Sequence, residues 1–201
     1  MANDHRARGV PKQRLDALTD GVFAFAMTLL VISLDLPAGV KVVDAAGLMA
    51  LLGQLQDNLL VYVISFTVLG ARWIRIAKDR DSEAWCSFGY AWAVVLHLFF
   101  VTLVPFTTKL VGLYGDLWPA VWIYGVNTIC AALSSRRAAD LLDRQEGRRG
   151  FASDRIDLAV LVATVVLSGI IAMLAPGFGM YAYLLNAASP LLHRMARTET
   201  G

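Results

Sequence analysis

The sequence predicts an all-α integral membrane protein with six transmembrane helices per subunit and both termini cytoplasmic. Three observations carry that reading. Of the 201 residues, 57% are hydrophobic and only 17% are charged, whereas soluble domains carry about 25% charged residues. The apolar residues gather into six segments, and each except the first is near the length, about 20 residues, that a helix needs to cross a bilayer. The basic residues are also divided unevenly. If both ends lie on one side, that side holds 16 Lys and Arg (the N-terminus, 72–80, 136–155 and the C-terminus), and the other holds only Lys41 and Lys109. This is the positive-inside pattern, and it requires an even number of spans.

The first segment, 18–36, is ended by Pro37-Ala38-Gly39. Its uncharged stretch, 21–34, has 14 residues, about 21 Å of helix, so Asp20 and Asp35 are expected close to the membrane and either wet or paired. Basic residues before it and the triplet Ala24-Phe25-Ala26 imitate a signal peptide. The triplet interrupts the apolar run rather than following it, so the segment reads as an uncleaved first membrane helix. Residues 44–57 read as a short amphipathic helix at the outer surface. The second segment spans 55–76, the third 84–107 and the fourth 117–133. The fifth, 156–175, is stopped by Pro176-Gly177, and the sixth is 178–192. No linker divides the chain, so residues 1–201 are expected to form a single transmembrane domain. Trp73, Trp85 and Trp118 fall near the expected interfaces, where aromatic belts form. Trp92 and Trp122 lie deeper and read as packing.

Enzymatic chemistry would leave paired carboxylates, HExxH or clustered His and Asp. None is present, so an enzyme is not expected, and neither is a cofactor or a nucleic-acid partner. Cys86 and Cys130 lack CxxC spacing and read as apolar packers rather than metal ligands. Every Asp and Glu falls at a segment end or in a loop, which leaves no mid-membrane acid for proton coupling. Thr28, Ser65, Thr67, His97, Thr102, Asn127, Thr164, Ser168 and Asn186 read mostly as helix–helix glue.

At about 100° per residue from Asp20, Gly21, Phe25, Thr28 and Ile32 lie on one stripe about 60° wide on the first helix. Asp20 lies roughly a quarter turn away. A narrow face with one hydroxyl among apolar groups is compatible with simple packing, with Thr28 bonding back to a carbonyl one turn earlier. Asp20 is harder to place. Arg14, six positions away, is not on its face, so its partner is expected on another helix or subunit, with Arg72, Arg75 and Lys78 on the correct side.

These residues resemble a known family. Arg14-x-x-x-Leu18-Thr19-Asp20 is similar to the RxxxFSD signature of the transmembrane protein 175 family, lysosomal potassium channels with smaller prokaryotic relatives. The similarity continues through Gly21-Val22-Phe23-Ala24 and Thr28-Leu29-Leu30 to Asp35-Leu36-Pro37. A second part is Leu103-Val104-Pro105-Phe106-Thr107-Thr108 followed by Gly112 and Tyr114-Gly115, with Tyr124 and Asn127 beyond it. The pattern covers the six-span layout.

The resemblance implies a homotetramer around a central pore lined by the first helix of each subunit, without a TVGYG filter loop. It places Phe25 at an apolar constriction, with Leu29 and Ile32 next along the pore, and Thr28 in a threonine ring that contributes to selectivity. Arg14, Thr19 and Asp20 correspond to signature residues that tie helices together near the cytoplasmic mouth, and Asp35 is a candidate pore-mouth charge. The expected function is a passive potassium-permeable cation channel of the bacterial inner membrane. Its partners are further copies of itself, the lipid bilayer and the permeant potassium ion. A secondary transporter and a non-conducting membrane scaffold are the alternatives. The chain departs from the family pattern in three ways. Phe25 stands where an aliphatic residue is usual, Leu18-Thr19 replaces Phe-Ser, and Trp73 is followed by Ile74-Arg75-Ile76 rather than by histidines.

Overall fold

A computed structural model describes residues 9–34, 36, 42–78, 85–147 and 153–175. The sixth apolar segment (178–192) and Asp35, Lys41 and Asn186 lie outside these residues. Helix α1 spans Lys12–Leu29 and runs on into a 3-10 turn, Leu30–Ser33. It is followed by α2 (Ala45–Gln54), α3 (Gln56–Lys78), α4 (Phe88–Thr102), α5 (Val104–Tyr114), α6 (Trp118–Glu146) and α7 (Ser153–Leu174). Among the described residues three stretches, Lys12–Ser33, Gln56–Ala77 and Phe88–Tyr114, are long and apolar enough to cross a membrane, and Ala45–Gln54 and Leu158–Leu174 are shorter apolar helices.

Local chemistry sets these boundaries. Asp44 caps α2 by accepting the Gly47 amide at 2.7 Å, and Ser87 caps α4 by accepting the Tyr90 amide at 3.2 Å; such side chains satisfy an amide that the helix leaves unpaired. The third apolar segment divides at Leu103, with Pro105 in the first turn of α5. Proline cannot donate to the preceding turn but is well suited to a helix start. Helix α6 ends at Gly147, whose φ of 68° lies in the left-handed region that glycine adopts without penalty.

Two boundaries differ from expectation for a common reason. Helix α1 begins at Lys12, six residues before the expected start at 18, and α6 continues to Glu146 rather than stopping at 133. An apolar-run criterion detects only the membrane portion of a helix. Residues 134–146 are polar in composition, yet Ala138 and Leu142 are buried on one face at helical spacing.

Two short strands were not expected. β1 (Gly9–Pro11) pairs antiparallel with β2 (Trp85–Ser87), with Val10 opposite Cys86. Gln145 of α6 completes this clasp. Its Oε1 accepts the Ser87 amide at 3.1 Å, and its Nε2 donates to the Trp85 carbonyl at 2.9 Å, so a side-chain amide occupies the place of a third strand. The clasp joins the starts of α1 and α4 to the end of α6.

Helix α4 packs on α6, α6 on α7 and α5, and α1 on α4. One core gathers Leu15, Phe23 and Ala26 of α1 and Leu30 of the 3-10 turn with Ala91, Val94, Leu98 and Val101 of α4. A second joins Val61 and Ile64 of α3 to Val111, Tyr124 and Val165. Gly169 lies inside an unbroken α7. An added Cβ there would lie 2.4 Å from the Trp122 ring, so glycine permits the close approach of α6 and α7. Trp122 packs as expected, whereas Trp92 is 70% exposed and is not covered within its own chain.

Candidate functional site

Helix α1 has two unlike faces. Leu15, Thr19, Phe23, Ala26 and Leu30 are buried against the rest of the chain. Arg14, Leu18, Gly21, Phe25, Thr28 and Ile32 are all exposed. At about 100° per residue the centres of the two faces are roughly 140° apart. The stripe singled out in the sequence is therefore the face that the described residues leave uncovered, and Phe25 is 66% exposed on it. Thr28 lies beside Phe25 and donates to the Phe25 carbonyl at 2.8 Å, the back-bonding expected of a helical threonine. Leu29 is half-buried at the edge of the stripe.

The signature residues are not gathered into one cluster. Arg14 is exposed on the uncovered face. Thr19 is buried, and its hydroxyl donates to the Leu15 carbonyl of its own helix at 2.9 Å. Asp20 reaches another helix. Its Oδ1 accepts from Nε1 of Trp73 on α3 at 2.8 Å. This contact comes from the expected helix, and the indole that makes it lies between the cations named from the sequence. Trp73 is thus a tether for Asp20 as well as a partly exposed ring; the sequence reading assigned it only to an aromatic belt.

Behind α1, the polar residues of the span interiors make contacts between helices, while His97 Nε2 and Asn127 Oδ1 are buried without a hydrogen-bond partner among the described residues. His97 is buried, with Nδ1 2.8 Å from the Ala131 carbonyl and its ring centroid 5.9 Å from that of Phe23. Asn127 Nδ2 donates to the Phe100 carbonyl at 3.2 Å. Thr108 donates to Ser65 at 2.9 Å, and Ser65 lies 3.2 Å from the Tyr124 hydroxyl. This chain of hydroxyls joins α5, α3 and α6 in a fully buried setting, where leaving any member unpaired is costly. Ser65 was legible as a polar residue at mid-depth; its meeting with Thr108 and Tyr124 depends on tertiary packing. Thr67 and Thr102 are exposed and join no buried contact between helices.

Outside the spans, Cys86 is buried and donates to the Val10 carbonyl across the clasp at 3.2 Å. Burial pushes its thiol pKa up, with Asp16 adding to the effect. Among the described residues no group of His, Cys, Asp and Glu could hold a metal ion.

Residues 14–105 match the model of a family described as endosomal/lysosomal potassium channel TMEM175. A curated potassium channel from Chamaesiphon minutus is 34% identical over 101 residues, 50% of this chain and 49% of the relative. One from Streptomyces collinus is 32% identical over 101 residues, 50% of this chain and 48% of the relative. One from a Chryseobacterium species is 27% identical over 136 residues, 68% of this chain and 67% of the relative. The match thus spans about half the length of two of these relatives. A crystal structure of a lysosomal potassium-selective channel TMEM175 homolog from Chamaesiphon minutus superposes with a TM-score of 0.69 at 23% identity, covering 90% of this chain and 96% of that one. That likeness shows the fold.

Proposed function

We propose that this chain is a member of the TMEM175 family, whose model residues 14–105 match, and that it is a subunit of a potassium-permeable cation channel in a cell membrane, the inner membrane of a bacterium. Copies assemble as a homotetramer around a central pore, and α1 lines it. The observation that carries the reading is the uncovered stripe of α1. It lies within the family-matched residues, faces away from the subunit's own core and bears one hydroxyl, Thr28, among apolar groups. One such helix cannot enclose a path for an ion; several around an axis can.

In this arrangement Phe25 and Ile32 form apolar rings that stop ions by excluding water when the pore is narrow. Four phenyl rings fill more of the axis than four aliphatic side chains, so Phe25 sets the constriction. Thr28 supplies a hydroxyl ring that replaces part of the ion's hydration. The Trp73–Asp20 bond fixes the rotation of α1 against α3 and thereby the direction in which the stripe faces.

The test is flux through purified protein reconstituted in liposomes under a potassium gradient. The proposal expects potassium-dependent flux that falls when Phe25 is replaced by Trp and rises when it is replaced by Ala. Flux indifferent to both substitutions removes α1 from the pore, and no flux from either the native protein or Phe25→Ala removes the channel.

A further inference from the structure

We propose that the groove running along α7 to Arg136 holds one anionic phospholipid of the cytoplasmic leaflet, with its phosphate on the Arg136 guanidinium and an acyl chain along the helix. The groove is open and has a volume of about 970 Å³, the size class of sites that take an extended organic molecule rather than an ion. Leu158, Val162, Val166, Leu167 and Ile170 of α7 form its apolar wall. They recur at steps of four along the helix and so make one continuous strip. Arg136 of α6 is the charged residue that lines the groove among those described.

The two ends of the groove differ. Gly169 lies against Trp122 and Leu158 shares the groove with Arg136, so α6 and α7 run antiparallel. Arg136 therefore marks the end at Leu158, on the side that holds the excess of basic residues. By the positive-inside rule that side is cytoplasmic. From Leu158 to Ile170 the helix rises about 18 Å, close to one leaflet's share, about 15 Å, of the hydrocarbon core. The ligand that fits has a negative head and an apolar tail one leaflet long. A guanidinium meets phosphate oxygens with two parallel N–H groups, and basic pockets between helices on the cytoplasmic side select anionic head groups. The sixth apolar segment, 178–192, contains no Asp or Glu, so it brings no counter-charge to Arg136. The site does not depend on which face of α1 lines a pore.

Photo-crosslinking of the full-length protein tests this. p-Benzoylphenylalanine replaces Val166, and the protein is reconstituted in liposomes of equal parts phosphatidylglycerol and phosphatidylcholine with the same acyl chains. Mass spectrometry identifies what becomes attached on illumination. The expected adduct is phospholipid, enriched about fivefold in phosphatidylglycerol, the factor that one basic residue near a membrane surface is worth. The enrichment should vanish in Arg136→Gln and persist in Arg137→Gln, which removes the same charge from the adjacent exposed position. An adduct without preference between the lipids, an equal loss in both variants, or an adduct to protein each overturns the proposal. Equal loss points to diffuse surface charge, and a protein adduct puts the sixth segment or another subunit in the groove. If Arg136→Gln does not fold, the adducts of the Arg136-containing protein with and without Arg137→Gln decide.

Discussion

Replacing Gly169 with Ala is expected to destabilise the subunit, although alanine is the better helix former. A Cβ at this position would lie 2.4, 2.5 and 2.8 Å from Cε2, Cζ2 and Nε1 of Trp122. Non-bonded carbons prefer about 3.5–4.0 Å, so roughly 1 Å must be opened. The atom that is struck belongs to a rigid fused ring, so relief requires either separation of α6 from α7 or a new rotamer for Trp122. Overpacking of this kind costs up to about 3 kcal/mol, and alanine returns about 1 kcal/mol of helix propensity. The net loss is about 2 kcal/mol, which for a chain of this size lowers the thermal midpoint by about 4–8 °C. The assay is thermal unfolding in detergent followed by circular dichroism, in the native and Trp122→Ala backgrounds. Removing the ring first should make Gly169→Ala neutral or stabilising. An equal cost in both backgrounds, or a higher midpoint for Gly169→Ala alone, would refute the close approach.

Three further outcomes follow from the geometry. Trp73→Phe keeps the ring and removes the donor 2.8 Å from Asp20; the pair is partly exposed, so the loss is near the low end for a bond to a charged group, about 1.5 kcal/mol, and an unchanged unfolding midpoint would show that the tether contributes nothing. Thr28→Ala removes a hydroxyl bonded only to the Phe25 carbonyl among its described contacts, so it should weaken potassium-over-sodium preference in liposome flux without lowering the midpoint; unaltered selectivity would take Thr28 out of the ion path. Because burial raises the Cys86 thiol pKa, less thiolate is present at any pH below that value, so maleimide should label Cys86 more slowly than an unfolded-chain cysteine and reach it upon denaturation; rapid labelling of the native protein would contradict its place in the clasp.

Helix identity was legible wherever composition and periodicity acted within one segment. The 3.6-residue spacing on α1 separated Gly21, Phe25, Thr28 and Ile32 from the residues that enter the core, and the sequence shows that separation without any partner. What escaped depends on contacts between segments. The β1–β2 clasp is three residues per strand, too short for an alternating pattern, and its third member is one Gln side chain. The polar end of α6 has no long apolar run, because its core face is made by Ala138 and Leu142 with Leu141 partly buried beside them. Asp20 was traced to the cytoplasmic end of α3, but its bond to Trp73 depends on the rotation of that helix, which sequence spacing alone does not supply.

The two faces of α1 carry an argument about the kinds of effect that substitutions there should have. The exposed positions 14, 18, 21, 25, 28 and 32 recur at alternating steps of about four and three, the spacing of a helix seam. The buried positions 15, 19, 23, 26 and 30 recur almost as regularly. A helix needs only one such seam to join its own subunit, and the chain already fills that one with Phe23 at 1% and Leu30 at 0% exposure. The second seam has no partner among the described residues of the subunit. Enlarging or trimming Phe23 should therefore act on folding, at about 3–5 kcal/mol for Phe23→Ala, before it acts on transport. Trimming Phe25 removes no intrasubunit core and should leave the unfolding midpoint of a dissociated subunit within about 0.5 kcal/mol of native. Any larger effect of Phe25→Ala must then appear in assembly or flux. Separate measurements of subunit unfolding and liposome flux distinguish the two seams, and a Phe25→Ala subunit that unfolds as readily as Phe23→Ala would show that α1 has only one.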